Sequence, residues 1–279
     1  MRGSTNLVTA EWLAGRLDDP AIVIADCRFD LAKPDAGRAE YARDHIPGAV
    51  YLDLETDLSA PKADHGGRHP LPAIESLARL FGRIGIDGST TVIVYDAQSN
   101  CMAARFWWML RYLGHDAVKV LDGGWSAWRL AGHPTTADVR PGAERVFVPR
   151  VRTEMLVDMV GLRRRLSGRA GRLVDSRAPE RYRGEVEPLD PVAGHIPGAI
   201  NLPWTENQDD GGMLKPIEVL RRRFSVIGSE QPVVYCGSGV SACSNLLAMD
   251  EIGIRNAVLY AGSWSDWCSY PENPVAKKE

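Results

Sequence analysis

The stretch Pro232-Val-Val-Tyr-Cys-Gly-Ser-Gly-Val-Ser241 is a short apolar run broken by a glycine-rich turn, and Ser241 to Ile252 beyond it has helical spacing. A run this short, bounded by a turn and followed by a helix, reads as a buried strand. Thr91-Val-Ile-Val-Tyr-Asp-Ala-Gln-Ser-Asn100 has the same form and leads to a second helix-like segment, Ala103 to Leu113. Working outward, the correspondence extends to both ends of the chain. His45-Ile-Pro-Gly-Ala-Val50 returns as His195-Ile-Pro-Gly-Ala-Ile200, each preceded by an apolar run ending in Asp-x-Arg (Asp26 to Arg28, Asp175 to Arg177). Trp125 and Trp128 return as Trp264 and Trp267. Four landmarks in one order, with a slowly drifting offset, describe a duplicated domain. Strand-like runs (22–24, 92–94, 118–120) alternate with helix-like ones (73–84, 103–113, 217–226), which predicts an α/β fold: two tandem domains, each a mostly parallel sheet covered by helices on both faces.

The 279 residues suit two domains, predicted as 1–145 and 146–279, with the polar Ala137–Val146 stretch around Pro141-Gly142 as linker. Apolar residues at 44% and charged ones at 25% exclude a disordered or fibrous chain. A net charge of −3 gives no pull towards nucleic acid or an anionic membrane, and no apolar run approaches the roughly 20 residues of a membrane span. Residues 1–15 lack the pattern of a secretory signal. Five scattered cysteines (Cys27, Cys101, Cys236, Cys243, Cys268) fit neither a disulfide framework nor a zinc site, and point to a reducing cytoplasm.

The halves differ at one telling position: Asp96 ends the apolar run of the first and Cys236 that of the second. A residue there lies at a helix N-terminus, near unpaired backbone N–H groups that Gly237 and Gly239 allow to curl inward around an anion. Such a nest stabilises a thiolate, the requirement for a reactive cysteine. Gly237, Gly239, Val240 and Ser241 are therefore candidate binding residues, with Ser241 also a candidate helix cap. A cysteine phosphatase needs an arginine six residues after its nucleophile to clamp phosphate, and Ala242 stands there. What remains is capture of sulfur: the thiolate attacks a donor, keeps the sulfur as a persulfide and passes it on.

These motifs together resemble the tandem-domain rhodanese-type sulfurtransferases, which use 3-mercaptopyruvate or thiosulfate. The resemblance covers nearly the whole chain and implies a catalytic second domain, a first domain without its cysteine, and an active site in the cleft between them. The Cys-Gly-Ser-Gly-Val-Ser loop is similar to that of the mercaptopyruvate branch and implies mercaptopyruvate as preferred donor. The acceptor would be cyanide or a thiol, including a protein thiol, with neither metal nor organic cofactor required. By the same resemblance Cys236, Ser238 and His45 are the catalytic residues, with Asp35 behind His45, and Arg181 binds the donor's anionic end. Leu189-Asp190 stands where that branch carries a second arginine, and Arg177 or Arg183 is the candidate substitute. Thiosulfate as donor, and a non-turnover persulfide relay serving a protein partner, are the alternatives. His65 and His69, in Asp64-His-Gly-Gly-Arg-His69, read as part of a polar loop, and His195 as a turn staple.

Overall fold

Why each half folds as it does is clearest in its central strand. The computed structural model describes residues 6–97, 99–139, 142–168 and 171–278, so Gln98 and the Arg140-Pro141 part of the expected linker lie outside them. In the first half the elements run β1 (Leu7–Val8), α1 (Ala10–Ala14), β2 (Ile22–Asp26), α2 (Ala36–Arg43), β3 (Ala49–Tyr51), α3 (Ile74–Arg83), β4 (Thr91–Tyr95), α4 (Cys101–Tyr112), β5 (Val118–Leu121) and α5 (Gly124–Leu130). The second half repeats them as β6 (Leu156–Val157), α6 (Met159–Ser167), β7 (Arg172–Asp175), α7 (Pro179–Tyr182), β8 (Ile200–Asn201), α8 (Ile217–Phe224), β9 (Pro232–Tyr235), α9 (Ala242–Glu251), β10 (Val258–Tyr260) and α10 (Ser263–Trp267). The strands form two all-parallel sheets in equivalent orders, β1-β5-β4-β2-β3 and β6-β10-β9-β7-β8. β4 and β9 are central, and Val92 to Tyr95 and Val233 to Tyr235 are almost wholly buried, which is why they read as continuous apolar runs rather than alternating ones.

Each sheet packs one face against its first, second and last helices. In the first half Ile93 and Tyr95 meet Leu13 of α1, Tyr41 of α2 and Trp128 of α5; in the second, Val233 and Tyr235 meet Leu162 of α6, Tyr182 of α7 and Trp267 of α10. α4 and α9 pack on their own central strands. α1 and α6 start alike: the Thr9 hydroxyl accepts from Trp12 N–H at 3.2 Å, and the Asp158 carboxylate from Gly161 N–H at 2.7 Å.

Compactness divides the chain into unit 1 (Met1–Ala60, Pro72–Arg152, Gln208–Leu214) and unit 2 (Pro61–Leu71, Thr153–Asn207, Lys215–Glu279). Each unit thus takes in a short segment from the other half of the sequence. Both segments contain a Gly-Gly pair, Gly66-Gly67 and Gly211-Gly212, at matching places in the repeat. In unit 2, Gly67 (φ +86) approaches Gly262 so closely that a Cβ would run into its carbonyl oxygen. In unit 1, Leu214 N–H donates to Asp122 at 2.8 Å. No described helix is long and apolar enough to cross a membrane.

Candidate active site

The repeated Asp-x-Arg and His-Ile-Pro-Gly motifs build the frame beneath the loops. Arg177, 2% exposed, forks onto Asp175 (Nη2 to Oδ2 2.6 Å), donates to the Gly194 carbonyl at 2.6 Å and Glu187 at 3.2 Å, and lies 4.7 Å over the Trp264 ring. Burial works against its charge, but attraction from Asp175 outweighs that and raises its pKa. Arg28 repeats the arrangement with Asp26, the Asp44 carbonyl and Trp125. His195 Nδ1 lies 2.7 Å from the Tyr182 carbonyl and stacks on that ring at 3.8 Å. His45 does the same with Tyr41, at 2.7 Å and 4.0 Å, and its Nε2 lies 3.3 Å from the Asp138 carbonyl.

Two expectations are corrected here. His45, expected at Ser238, has both ring nitrogens on backbone carbonyls of its own unit and staples a turn as His195 does. Arg177, expected to bind substrate, spends its guanidinium on Asp175, Gly194 and Glu187. Arg183, the other candidate substitute, forks onto the exposed Glu185, and Asp35 stands at the N-cap position of α2 without a side-chain cap bond.

Above this frame, Cys236 follows β9 and precedes α9. Its Sγ accepts the Gly239 N–H at 3.2 Å, its N–H donates to Ser263 Oγ at 3.1 Å, and its carbonyl accepts from Trp264 N–H at 3.0 Å. Ser263 is left-handed (φ +56), where the first half has Gly124 (φ +52). That conformation costs a side-chain-bearing residue roughly 1–2 kcal/mol, offset here by a hydroxyl that also donates to the Tyr260 carbonyl at 2.9 Å. Among the described residues, the N–H groups of Ser238, Val240, Ser241 and Ala242 meet no acceptor. Ser241 occupies the N-cap position but makes no side-chain cap bond, because it is already helical (φ −67, ψ −18); this corrects the cap expectation.

Unit 1 displays what such N–H groups do with an anion. The fully buried Asp96 carboxylate accepts from Asn100 N–H at 3.0 Å, Met102 N–H at 2.7 Å and Ala103 N–H at 2.8 Å. This carboxylate stands at the position where unit 2 has Cys236.

The histidine on Ser238 is His69: its Nδ1 lies 2.7 Å from Ser238 Oγ, and both residues are buried. His69 comes from the 61–71 segment, which is fixed by Gly66 N–H to Asp266 at 2.7 Å, Arg68 N–H to Ser265 Oγ at 3.0 Å, and His65 to Ser269 Oγ at 2.8 Å. Arg181 pairs with Glu187 at 2.6 Å and reaches Asp190 at 3.4 Å. Burial opposes the Glu187 charge, yet the Arg181 guanidinium and the N–H groups of Leu189 and Asp190 hold its pKa below the usual range. Gly237 lies under two guanidiniums; a Cβ there would stand 2.9 Å from Arg68 Nη2 and 3.4 Å from Arg181 Nη1. Sequence reading missed His69 and Arg68. The available signal was the Gly-Gly pair in front of them, a mark of close backbone approach.

A cysteine among free N–H groups, a serine–histidine pair and an arginine beside the loop thus stand on a twice-repeated parallel sheet. The rhodanese-like domain family matches residues 9–131 and again 160–270. The chain belongs to that family. This rhodanese is 44% identical to "Probable 3-mercaptopyruvate sulfurtransferase" of Pseudomonas aeruginosa, over 98% of each chain. It is 42% identical to "Putative thiosulfate sulfurtransferase SseB" of Mycobacterium tuberculosis, over 97% of this chain and 96% of that one. Among solved structures, the 3-mercaptopyruvate enzyme SseA from Escherichia coli superposes with a TM-score of 0.84 at 35% identity, covering 94% of this rhodanese and all of SseA. The tandem rhodanese fold and the sulfurtransferase class expected from the sequence are thereby shown.

Proposed function

We propose that this sulfurtransferase takes its sulfur from 3-mercaptopyruvate through a Cys236 persulfide and delivers it to cyanide or a thiol, a protein thiol included, in the cytoplasm. The Ser238–His69 pair carries this reading, because only a thiol donor brings a proton that has to be moved. The Cys236 thiolate attacks the donor sulfur. The carbon–sulfur bond breaks and its electron pair passes to the pyruvate enolate. The thiol proton, relayed by Ser238 and His69, ends on the enolate carbon, leaving pyruvate and an enzyme persulfide. An acceptor thiolate or cyanide then attacks the outer sulfur and releases Cys236 as thiolate. Ser238, Val240, Ser241 and Ala242 supply N–H groups for the persulfide anion, as Asn100 and Met102, the counterparts of Val240 and Ala242, do for the Asp96 carboxylate. Arg181 takes the donor's anionic end.

Five free cysteines agree with a reducing compartment. The mycobacterial relative's name supports thiosulfate as the second reading. Comparing kcat/KM for the two donors with cyanide as acceptor tests the choice: 3-mercaptopyruvate is expected to lead, and a lead for thiosulfate would reject it. Steady release of pyruvate beyond one equivalent, with cyanide alone as acceptor, separates an enzyme from a relay.

A further inference from the structure

We infer that Ser263 is a positioning residue for Cys236, its hydroxyl fixing the Cys236 peptide so that the sulfur stays on the loop's N–H groups; this rests on the Cys236 persulfide reading above. Ser263 acts through the backbone rather than on sulfur. Its Oγ accepts the Cys236 N–H at 3.1 Å and donates to the Tyr260 carbonyl at 2.9 Å, and both Ser263 and Cys236 are buried. The next two residues continue the grip: Trp264 N–H donates to the Cys236 carbonyl at 3.0 Å, and Ser265 N–H to the Gly237 carbonyl at 2.9 Å. Three consecutive residues thus hold three backbone groups in a row. Of the three bonds, only the one from the Cys236 N–H depends on a side chain.

Backbone strain singles out the same residue. Ser263 has φ +56, in the left-handed region that glycine enters freely and a residue with a Cβ enters at a cost. The first copy places Gly124 there, at φ +52, with Trp125 N–H on the Asp96 carbonyl at 2.8 Å. A Cβ on Gly124 would run into that carbonyl oxygen. The second copy does carry a Cβ at this place, so the start of α10 stands off from the Cys236 carbonyl, and the Oγ reaches the N–H. The strand–loop–helix frame forms with glycine in the first copy, so the frame itself does not need the serine. Strain kept in the copy that holds Cys236 points to the site's own work.

That work is aim. Cys236 Sγ accepts the Gly239 N–H at 3.2 Å, and the direction of the Cα–Cβ bond follows the Cys236 peptide. Without Oγ the Cys236 N–H is buried with its acceptor gone, and the peptide is free to turn and carry the sulfur off its N–H donor. A displacement of about 1 Å can cost a hundredfold in rate.

Ser263→Gly removes the hydroxyl and the strain together; Ser263→Ala removes the hydroxyl and keeps the Cβ that sets the spacing. Three quantities are measured per folded molecule, with thermal melts giving the folded fraction. They are single-turnover loading from 3-mercaptopyruvate, its steady-state kcat and KM, and the rate of Cys236 alkylation by iodoacetamide, located by mass spectrometry. Both variants are expected to load roughly ten- to hundredfold more slowly, with KM within about twofold, the split of a group that never meets the donor. Alkylation should slow severalfold, and Ser263→Gly should melt close to the unmutated protein. Loading or alkylation unchanged in either folded variant, or KM raised at unchanged kcat, overturns the positioning role. Alkylation needs no donor, so it tests Ser263 whichever donor the protein prefers. Sulfur loading that survives Cys236→Ser overturns the persulfide reading instead.

Discussion

Three histidines are told apart by their partners at the scale of single residues. His45 and His195 occupy equal places in the repeat, each with Nδ1 on a tyrosine carbonyl at 2.7 Å. His69 has a reacting-loop hydroxyl as its partner. His69→Ala is expected to lower kcat for 3-mercaptopyruvate by roughly 10²- to 10⁴-fold, the usual range for a lost proton relay, and to affect thiosulfate far less, since its transferred sulfur carries no proton. His45→Ala should lower the melting temperature and leave activity per folded molecule near normal. Steady-state kinetics and melts of both variants check this; a silent His69→Ala beside an inactive, folded His45→Ala would reverse the assignment. The placement of Cys236 was legible in the sequence because its setting is local: strand, Cys-Gly-Ser-Gly and helix are contiguous. His69 and Arg68 were not, because their roles depend on a segment nearly two hundred residues from Ser265 and Asp266 in sequence, and a polar loop gives no sign of which surface it covers.

At the scale of elements, the two strand–loop–helix units differ in what fills the nest. β4 and α4 enclose Asp96, and its bonds from the Asn100, Met102 and Ala103 N–H groups tie the start of α4 to the end of β4. Asp96→Ala would leave those N–H groups buried without an acceptor, at a cost on the order of 3 kcal/mol. Denaturant unfolding should register that loss, while kcat/KM stays within about twofold; inactivation comparable with Cys236→Ser would contradict the division of labour. The central strands were legible as unbroken apolar runs. β1 (Leu7–Val8) and β6 (Leu156–Val157) were not, because two residues carry no periodicity and pair only through β5 and β10. α2 and α7 were hidden by their polar sequences, Ala36–Arg43 and Pro179–Tyr182, each burying chiefly one tyrosine against the sheet.

Across the whole molecule, duplication supplied two copies of one frame, and the chemistry lies in where they part. The Asp-x-Arg, His-Ile-Pro-Gly and Trp pairs remain matched, whereas Asp96 faces Cys236 and Met213-Leu214 face Arg68-His69 in the correspondence between halves. The acidic anchors of the second copy give it a pH signature. The pKa of Glu187 is lowered from 4.5, so its stabilisation is fully present above that value and is lost as pH falls through the depressed folded value. Glu187→Gln should therefore melt below the unmutated protein at pH 6 to 8, with the gap closing below about pH 4.5; a gap that widens in acid would contradict the ion pairing. Transfer itself turns on a single sulfur bound to a single thiol. Protein treated with 3-mercaptopyruvate, without acceptor, and digested for mass spectrometry is expected to carry one added sulfur on the peptide containing Cys236, with one equivalent of pyruvate released and none from Cys236→Ser. Sulfur found chiefly on Cys27, Cys101 or Cys243, or pyruvate released undiminished by Cys236→Ser, would contradict it.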